Sequence, residues 1–317
     1  MSASPLSIGI LVCTAGRPEM LKDCLAALIA QTCEINWKLE IGVIDNDTSQ
    51  SARRNVESIA QASSVPVHYA HQPKRGIPFA RNAALDLARS RGWSWIALID
   101  DDEVASPDWL AQHIRTASEH QAQVSYGAVV QIHDAPPPVW WKVDTPSLDP
   151  EGTVLRRAST NNVLFAASLI ADDGNRLRFD EDLLHGYEDL DFFERAHASG
   201  NKIVWAPKAL VSERVPVSRS QPQRLINMVR SHAAAHAQID CKRRGFPAAF
   251  MKFGLKGLRR IVAGSAISGM SWLLWKAGLP KYESRYYKGR LRLARGVGNW
   301  YGLTRVKSGY YDQIDGR

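Results

Sequence analysis

Asp100, Asp101 and Asp102 follow the apolar run Trp95-Ile96-Ala97-Leu98-Ile99. Carboxylates this close repel one another, and burying them unpaired is costly. A divalent cation relieves that cost, because hard cations such as Mg²⁺ take oxygen ligands. The apolar run reads as a buried strand, and open α/β sheets bind ligands at the carboxyl ends of parallel strands. A triple Asp taken alone is more often a solvated turn that caps the next helix, so the rest of the chain decides.

Two other strand ends carry polar residues. Thr14-Ala15-Gly16-Arg17 follows the apolar segment 7–13, and Asp45-Asn46-Asp47 follows 39–44. In a doubly wound sheet such ends converge on one crevice. The first strand is not followed by GxGxxG, and no GxxxxGK[ST] is present. A nucleotide in this crevice is therefore held without a glycine-rich phosphate loop, and a metal on the triple Asp offers the neutralising charge instead.

The elements that must position these residues alternate. Strands are expected at 7–13, 39–44, 65–69 and 95–99. Helices are expected from Pro18, over 50–62 and 79–91, and from Ser106-Pro107, read as N-cap and first residue. This order implies a mostly parallel sheet. Further on, 123–132 reads as a strand and 162–170 as a core strand or short helix. A helix is expected over 188–199, a short strand at 203–205 and a long helix over 220–242. Pro136-Pro137-Pro138 with Trp140-Trp141 marks a loop.

Of the 317 residues, 45% are hydrophobic and 23% charged, as in a folded globular protein rather than a disordered one. The four cysteines show no metal or disulfide spacing, and the N-terminus lacks a signal-peptide pattern; both point to the cytosol. Residues 240–317 hold 17 Lys and Arg against 4 Asp and Glu, whereas the remainder holds 23 against 28. Such a basic segment suits an anionic surface, nucleic acid or lipid. The uncharged run 261–275 is short and polar for a membrane span. Segment 286–303 interleaves Lys288, Arg290, Arg292 and Arg295 with Leu291, Leu293, Val297 and Trp300. That pattern suits a helix lying in a membrane interface, the alternative being a helical subdomain packed on the rest.

Four motifs occur in order: Ile10-Leu11-Val12-Cys13-Thr14-Ala15-Gly16-Arg17-Pro18, Val43-Ile44-Asp45-Asn46-Asp47, Arg75-Gly76-Ile77-Pro78-Phe79-Ala80-Arg81-Asn82 and Leu98-Ile99-Asp100-Asp101-Asp102-Glu103. Together they resemble inverting glycosyltransferases of family two, with the GT-A fold, and most of all bacterial enzymes of succinoglycan-type exopolysaccharide assembly. The resemblance spans about 7–215. It implies that Asp45 bonds the base, with an Asx turn as the structural alternative. Thr14 and Arg17 then lie under the nucleotide and Arg81 contacts it. Asp100 and Asp102 become the outer carboxylates of a DXD motif for Mn²⁺ or Mg²⁺, with Asp102 the metal ligand and Asp100 facing ribose or metal. Asp101, the intervening residue, is grouped with the nucleotide-binding set as a spacer.

His185-Gly186-Tyr187-Glu188-Asp189-Leu190-Asp191 resembles the family's acceptor-site motif. Asp189 matches the base that deprotonates the acceptor hydroxyl, with Glu188 beside it. The stretch Gln221-Pro222-Gln223-Arg224-Leu225 has Leu where processive members carry the Trp of QxxRW, which favours transfer of one sugar per encounter. His232 and His236, at i and i+4, read as packed or surface histidines rather than metal ligands. Trp140 is assigned to the acceptor site as a sugar-stacking ring, with a core anchor as the alternative.

The resemblance therefore implies a GT-A, Rossmann-like domain at 1–240, with a nucleotide-sugar half at about 1–120 and an acceptor half at about 121–240. A basic helical membrane-associating extension follows at 241–317. The expected activity is metal-dependent inverting transfer of a sugar from a nucleotide sugar, UDP-linked, to a glycan or lipid-linked oligosaccharide. The expected place is the inner face of the cytoplasmic membrane, with no nucleic acid as partner. The rival readings are a nucleic-acid-binding protein using the basic tail and a sugar-phosphate nucleotidyltransferase.

Overall fold

The computed structural model describes residues 5–184 and 186–306. His185, the first residue of the acceptor-type motif, lies outside them, as do 307–317 of the basic segment.

Among the described residues one nine-stranded sheet organises the chain. Its amino-terminal part is built from β1 (Leu6–Thr14), β2 (Trp37–Asp45), β3 (Val67–His71) and β4 (Trp95–Asp100), all parallel, in the order β3-β2-β1-β4. Helices α1 (Pro18–Ile29), α2 (Arg53–Ala62) and α3 (Ile77–Arg91) connect them. The continuous apolar runs reflect burial on both faces. In β1, Ile8, Ile10 and Val12 enter the core on one face and Leu11 the core on the other. In β4, Ala97 and Ile99 share the first core, while Ile96 and Leu98 share the second.

The remainder departs from the expected parallel order. After the three-residue β5 (Glu103–Ala105) and α4 (Trp109–Glu119) come β6 (Val124–His133), β7 (Val154–Leu155), β8 (Asn162–Ala166), α5 (Glu188–Ala198) and β9 (Ile203–Val215). β8 lies antiparallel between β4 and β6, β9 runs parallel to β6, and β5 and β7 pair antiparallel with β9. The sheet is therefore mixed, not mostly parallel. Crossover helices are few here, and strands without them return antiparallel.

The β6–β9 ladder shifts register after Gly127. A buried Asn162 satisfies the backbone freed there: its Nδ2 donates to the carbonyls of Ala128 and Ala209, each at 2.8 Å, and its Oδ1 accepts from Trp109 Nε1 at 2.7 Å. A Cβ at Gly127 would run into the Ala209 carbonyl and the Asn162 amide, so this position needs glycine.

The carboxyl-terminal helices are α6 (Pro222–Arg244), α7 (Phe246–Ala249), α8 (Leu255–Lys276) and α9 (Tyr282–Thr304). The boundary drawn at 240/241 falls inside α6. Helix α9 packs closely on both α6 and α8 through small residues. A Cβ at Gly302 would strike the Ala234 carbonyl of α6, and one at Gly289 would meet Ser268 of α8. Gly289, Leu291, Ala294, Gly296, Gly298 and Asn299 are buried, so α9 is a packed helix rather than one with a free apolar face. The exposed apolar face belongs to α8. Among the described residues, no helix is long and apolar enough to cross a membrane.

Candidate active site

The strand register brings the polar ends together. Thr14 pairs with Asp45, and Cys13 pairs with Asp100. β1 lies between β2 and β4, so these ends meet where the strand order reverses, the usual ligand crevice of such sheets. A cleft of about 630 Å³ opens there, lined by Arg81, Asp100, Glu103, Tyr126, Tyr187, Glu188, Asp189, Glu213 and His232 among others.

Four residues selected from the sequence line this cleft: Arg81 of α3, Asp100 at the end of β4, and Glu188 and Asp189 in the first turn of α5. Arg81 is buried and ion-paired with Glu188, and its Nη2 lies 3.8 Å from Asp100 Oδ1. Burial pushes the Glu188 carboxyl up to about 7 despite Arg81. Asp189 is half-buried, and its Oδ1 accepts the Leu190 N–H at 2.7 Å.

Thr14, Arg17, Asp101 and Asp102 form the layer behind the cleft wall. Thr14 Oγ1 donates to Asp101 Oδ2 at 2.6 Å, and Arg17 reaches both Asp101 Oδ1 at 2.6 Å and Asp102 Oδ2 at 2.8 Å. Asp101 thus faces inward, as a spacer would, and burial raises its carboxyl to about 7. Burial acts on Asp102 too, but the guanidinium groups of Arg17 and Arg219 outweigh it and hold that carboxyl below the usual range.

Two expected site residues lie elsewhere. Asp45 is fully buried: its Oδ1 accepts from Asp47 N at 2.9 Å, and its Oδ2 from Ala52 N at 3.0 Å and Tyr69 Oη at 3.2 Å. It shapes the loop after β2 as an Asx turn and does not line the cleft. Trp140 is buried against Leu225, Ile226, Val229, Leu291 and Ala294 and stacks on Tyr287 of α9 at 4.6 Å. It anchors the 133–160 loop to the carboxyl-terminal helices, so its ring is not free to stack on a sugar. The His232 and His236 rings both pack against Tyr187, at 4.9 and 4.4 Å, and Tyr187 itself holds a left-handed φ of 70° just before α5.

Sequence reading missed Glu103, Glu213 and Arg219. Glu103 and Glu213 are directly opposed across the β5–β9 pair. Asn161 Nδ2 and the Asp100 N–H bind Glu103, and Arg219 Nη1 binds Glu213 Oε1 at 2.6 Å. Burial raises both carboxyls. Glu103 closes the triple-Asp motif without a role of its own, and no motif marks Glu213 or Arg219; the β5–β9 pairing brings in Glu213, and the turn after β9 brings in Arg219.

The donor set fits a divalent cation. Seven carboxylates (Asp100, Asp101, Asp102, Glu103, Glu188, Asp189 and Glu213) lie in and behind the cleft beside three guanidinium groups, Arg17, Arg81 and Arg219. All the candidate ligands are hard oxygens, and Asp100 keeps 43% of its side chain exposed. Among the described residues, the side chains found at metal-ligand spacing are Glu119, His120 and Glu151, which lie outside the cleft, with Glu151 ion-paired to Arg115 and Lys208.

The model of glycosyl transferase family 2 matches residues 9–183. The succinoglycan biosynthesis protein ExoM of Rhizobium meliloti (strain 1021) is 36% identical over 230 residues, covering 69% of this chain and 71% of that protein. The glucosyl-dolichyl phosphate glucuronosyltransferase of Haloferax volcanii is 25% identical over 127 residues, covering 39% of this chain and 38% of its own. Among solved structures, S. aureus TarS 1-349 in complex with UDP-GlcNAc superposes with a TM-score of 0.54 at 16% identity, covering 90% of each chain. That likeness carries the fold, whereas the sequence match carries the family. The chain belongs to glycosyl transferase family 2 and is a glycosyltransferase.

Proposed function

We propose that the cleft transfers one sugar, with inversion, from a UDP-linked nucleotide sugar to a glycan or lipid-linked oligosaccharide in exopolysaccharide assembly. The observation that carries this reading is the convergence of Arg81 and Asp100 with Asp189 in one cleft at the sheet's switch point. The kinship with ExoM supports exopolysaccharide assembly, and the UDP-GlcNAc bound by TarS supports a UDP-linked donor.

In this reading residues 1–120 hold the nucleotide and 121–240 shape the acceptor side. Arg81 meets the donor's negative charge, while Thr14 and Arg17 fix Asp101 and Asp102 behind the cleft wall. Asp189 takes the proton of the acceptor hydroxyl as that oxygen attacks the anomeric carbon and the bond to the diphosphate breaks. Glu188, held by Arg81, orients the acceptor beside it. Asp100 and Asp102 would hold Mg²⁺ or Mn²⁺, whose charge favours departure of the diphosphate. Leu225 stands where processive members carry the Trp of QxxRW, which supports a single transfer over processive action.

The extension at 241–317 attaches the enzyme to the inner face of the cytoplasmic membrane in this reading. Met251, Leu255, Leu258, Val262 and Leu273 are each more than half exposed and recur at helical spacing before and along α8. Lys256 and Arg259 are exposed beside them. An apolar stripe with basic flanks suits an anionic lipid surface better than nucleic acid, which would leave the stripe in water.

A thermal-shift screen of nucleotide sugars with and without Mn²⁺ tests the donor. A UDP-sugar should raise Tm, and more so with Mn²⁺. Stabilisation only by nucleoside triphosphates would favour a nucleotidyltransferase instead.

A further inference from the structure

The Asp102 carboxylate accepts from two guanidinium groups at one oxygen. Arg219 Nη2 lies 2.6 Å from its Oδ2, and Arg17 Nη1 lies 2.8 Å away. The two arginines are held differently. Arg17 directly precedes α1 and is also paired with the fully buried Asp101. Arg219 sits in the turn 216–221 between β9 and α6, where the Arg219, Ser220 and Gln221 N–H groups bond only three residues back, to Pro216, Val217 and Ser218. Its second partner, Glu213, lines the cleft and also accepts from Gln131 Nε2 at 2.9 Å. Glu213 therefore keeps a hydrogen-bond donor if Arg219 leaves.

Arg219 has a clear electrostatic task. Glu103 and Glu213 face each other across β5 and β9, and like charges so placed destabilise a sheet. Asp102 adds a third carboxylate. A divalent ion bound at Asp102 would share that carboxylate with Arg17 and Arg219 and supply the charge that Arg219 supplies. A third cation at this carboxylate repels the two already there, and Arg219, carried on a turn and paired with a Glu213 that keeps Gln131, is less firmly anchored than Arg17. The planar fork that is freed matches a phosphate bidentately.

We infer that Arg219 is a donor-positioning residue: it pairs with Asp102 in the arrangement described and passes to the donor's diphosphate when the cation and nucleotide enter. This rests on the proposed donor and metal reading.

The test is Mn²⁺ binding, read from the paramagnetic resonance of free Mn²⁺, in the wild type, Arg219→Gln and Asp102→Asn, with and without UDP. Without nucleotide, Arg219→Gln should bind Mn²⁺ about tenfold more tightly, since a competing charged hydrogen bond is gone. UDP should then bind more weakly than to the wild type and raise the Mn²⁺ affinity less. Unchanged or weaker Mn²⁺ binding by Arg219→Gln, with Asp102→Asn unable to bind, overturns the role of Arg219 alone. Mn²⁺ binding by Asp102→Asn at the wild-type level overturns both this role and the metal assignment. Should Arg219→Gln not fold, Arg219→Lys, which keeps the charge but loses the fork, must bind UDP in the presence of Mn²⁺ more weakly than the wild type or the inference fails.

Discussion

Arg81 of α3 is ion-paired with Glu188 of α5 across 107 residues of sequence. The pair joins the arginine proposed for the donor to the turn that carries the proposed base. Both side chains are buried, with Glu188 only 1% exposed. Removing one partner of such a pair leaves an uncompensated charge, at a cost of about 3–5 kcal/mol. Arg81→Met should therefore lose stability on that scale in urea unfolding. The double variant Arg81→Met/Glu188→Leu should recover much of the loss; equal instability of the two would show that the pair is not the cause.

Asp189 stands beside that pair and lines the cleft. Asp189→Asn keeps the shape and removes the proton acceptor. Transfer should fall by about 10²–10⁴-fold, while UDP affinity, measured by calorimetry, stays within a few-fold of the wild type. Loss of UDP binding would instead assign Asp189 a structural task.

The exposed stripe on α8 predicts lipid binding. The protein should sediment with vesicles containing anionic phospholipid and much less with neutral ones, and added salt should weaken the association. Leu258→Glu with Val262→Glu should abolish sedimentation without lowering Tm, since both side chains are already more than half exposed. Association of the wild type into dimers, with no vesicle binding, would assign the face to a second copy.

His113 makes stability depend on pH. It is fully buried, with Nε2 2.8 Å from Asn162 Oδ1 and Nδ1 2.9 Å from Ser125 Oγ. Burial lowers its pKa from 6.5 to about 4. The unfolded chain therefore binds the proton more readily, so this contribution is fully present above pH 6.5 and is lost as pH falls towards 4. The slope is at most about 1.4 kcal/mol per pH unit for one such group. His232, lowered to about 4 by burial and then by His236, adds to the same window. His113→Gln should flatten the fall in unfolding free energy between pH 6.5 and 4; an unchanged slope would contradict this origin.

What could be read from sequence depended on how local its cause was. β1 to β4 were legible because strands buried on both faces are continuous apolar runs, and their polar ends are adjacent in sequence. The expected helix at Ser106-Pro107 begins instead at Trp109, after Asp108, because Ser106 Oγ turns to Asp108 Oδ1. β9 was read as three residues where it has thirteen, since Pro207 and Lys208 interrupt the pattern at the register shift that Asn162 repairs from β8. Arg81, Asp100, Glu188 and Asp189 were legible as motif residues, and the structure brings them into one cleft. Glu213 and Arg219 were not, because their place depends on the pairing of β5 with β9. Segment 286–303 was read as interfacial from its basic and apolar pattern, but its glycines turn that face to α6 and α8 and leave the exposed stripe to α8.

The central claim is that this cleft carries out sugar transfer with Asp100 as a ligand of the cation that faces the donor's diphosphate. Its most direct measurement is nucleoside diphosphate release from the stabilising nucleotide sugar, with Mn²⁺, by the wild type and Asp100→Ala. The predicted result is release by the wild type and a loss of at least about 10²-fold in the folded variant, the scale of removing one transition-state charge partner. Release by Asp100→Ala at the wild-type rate would contradict the assignment of the cleft.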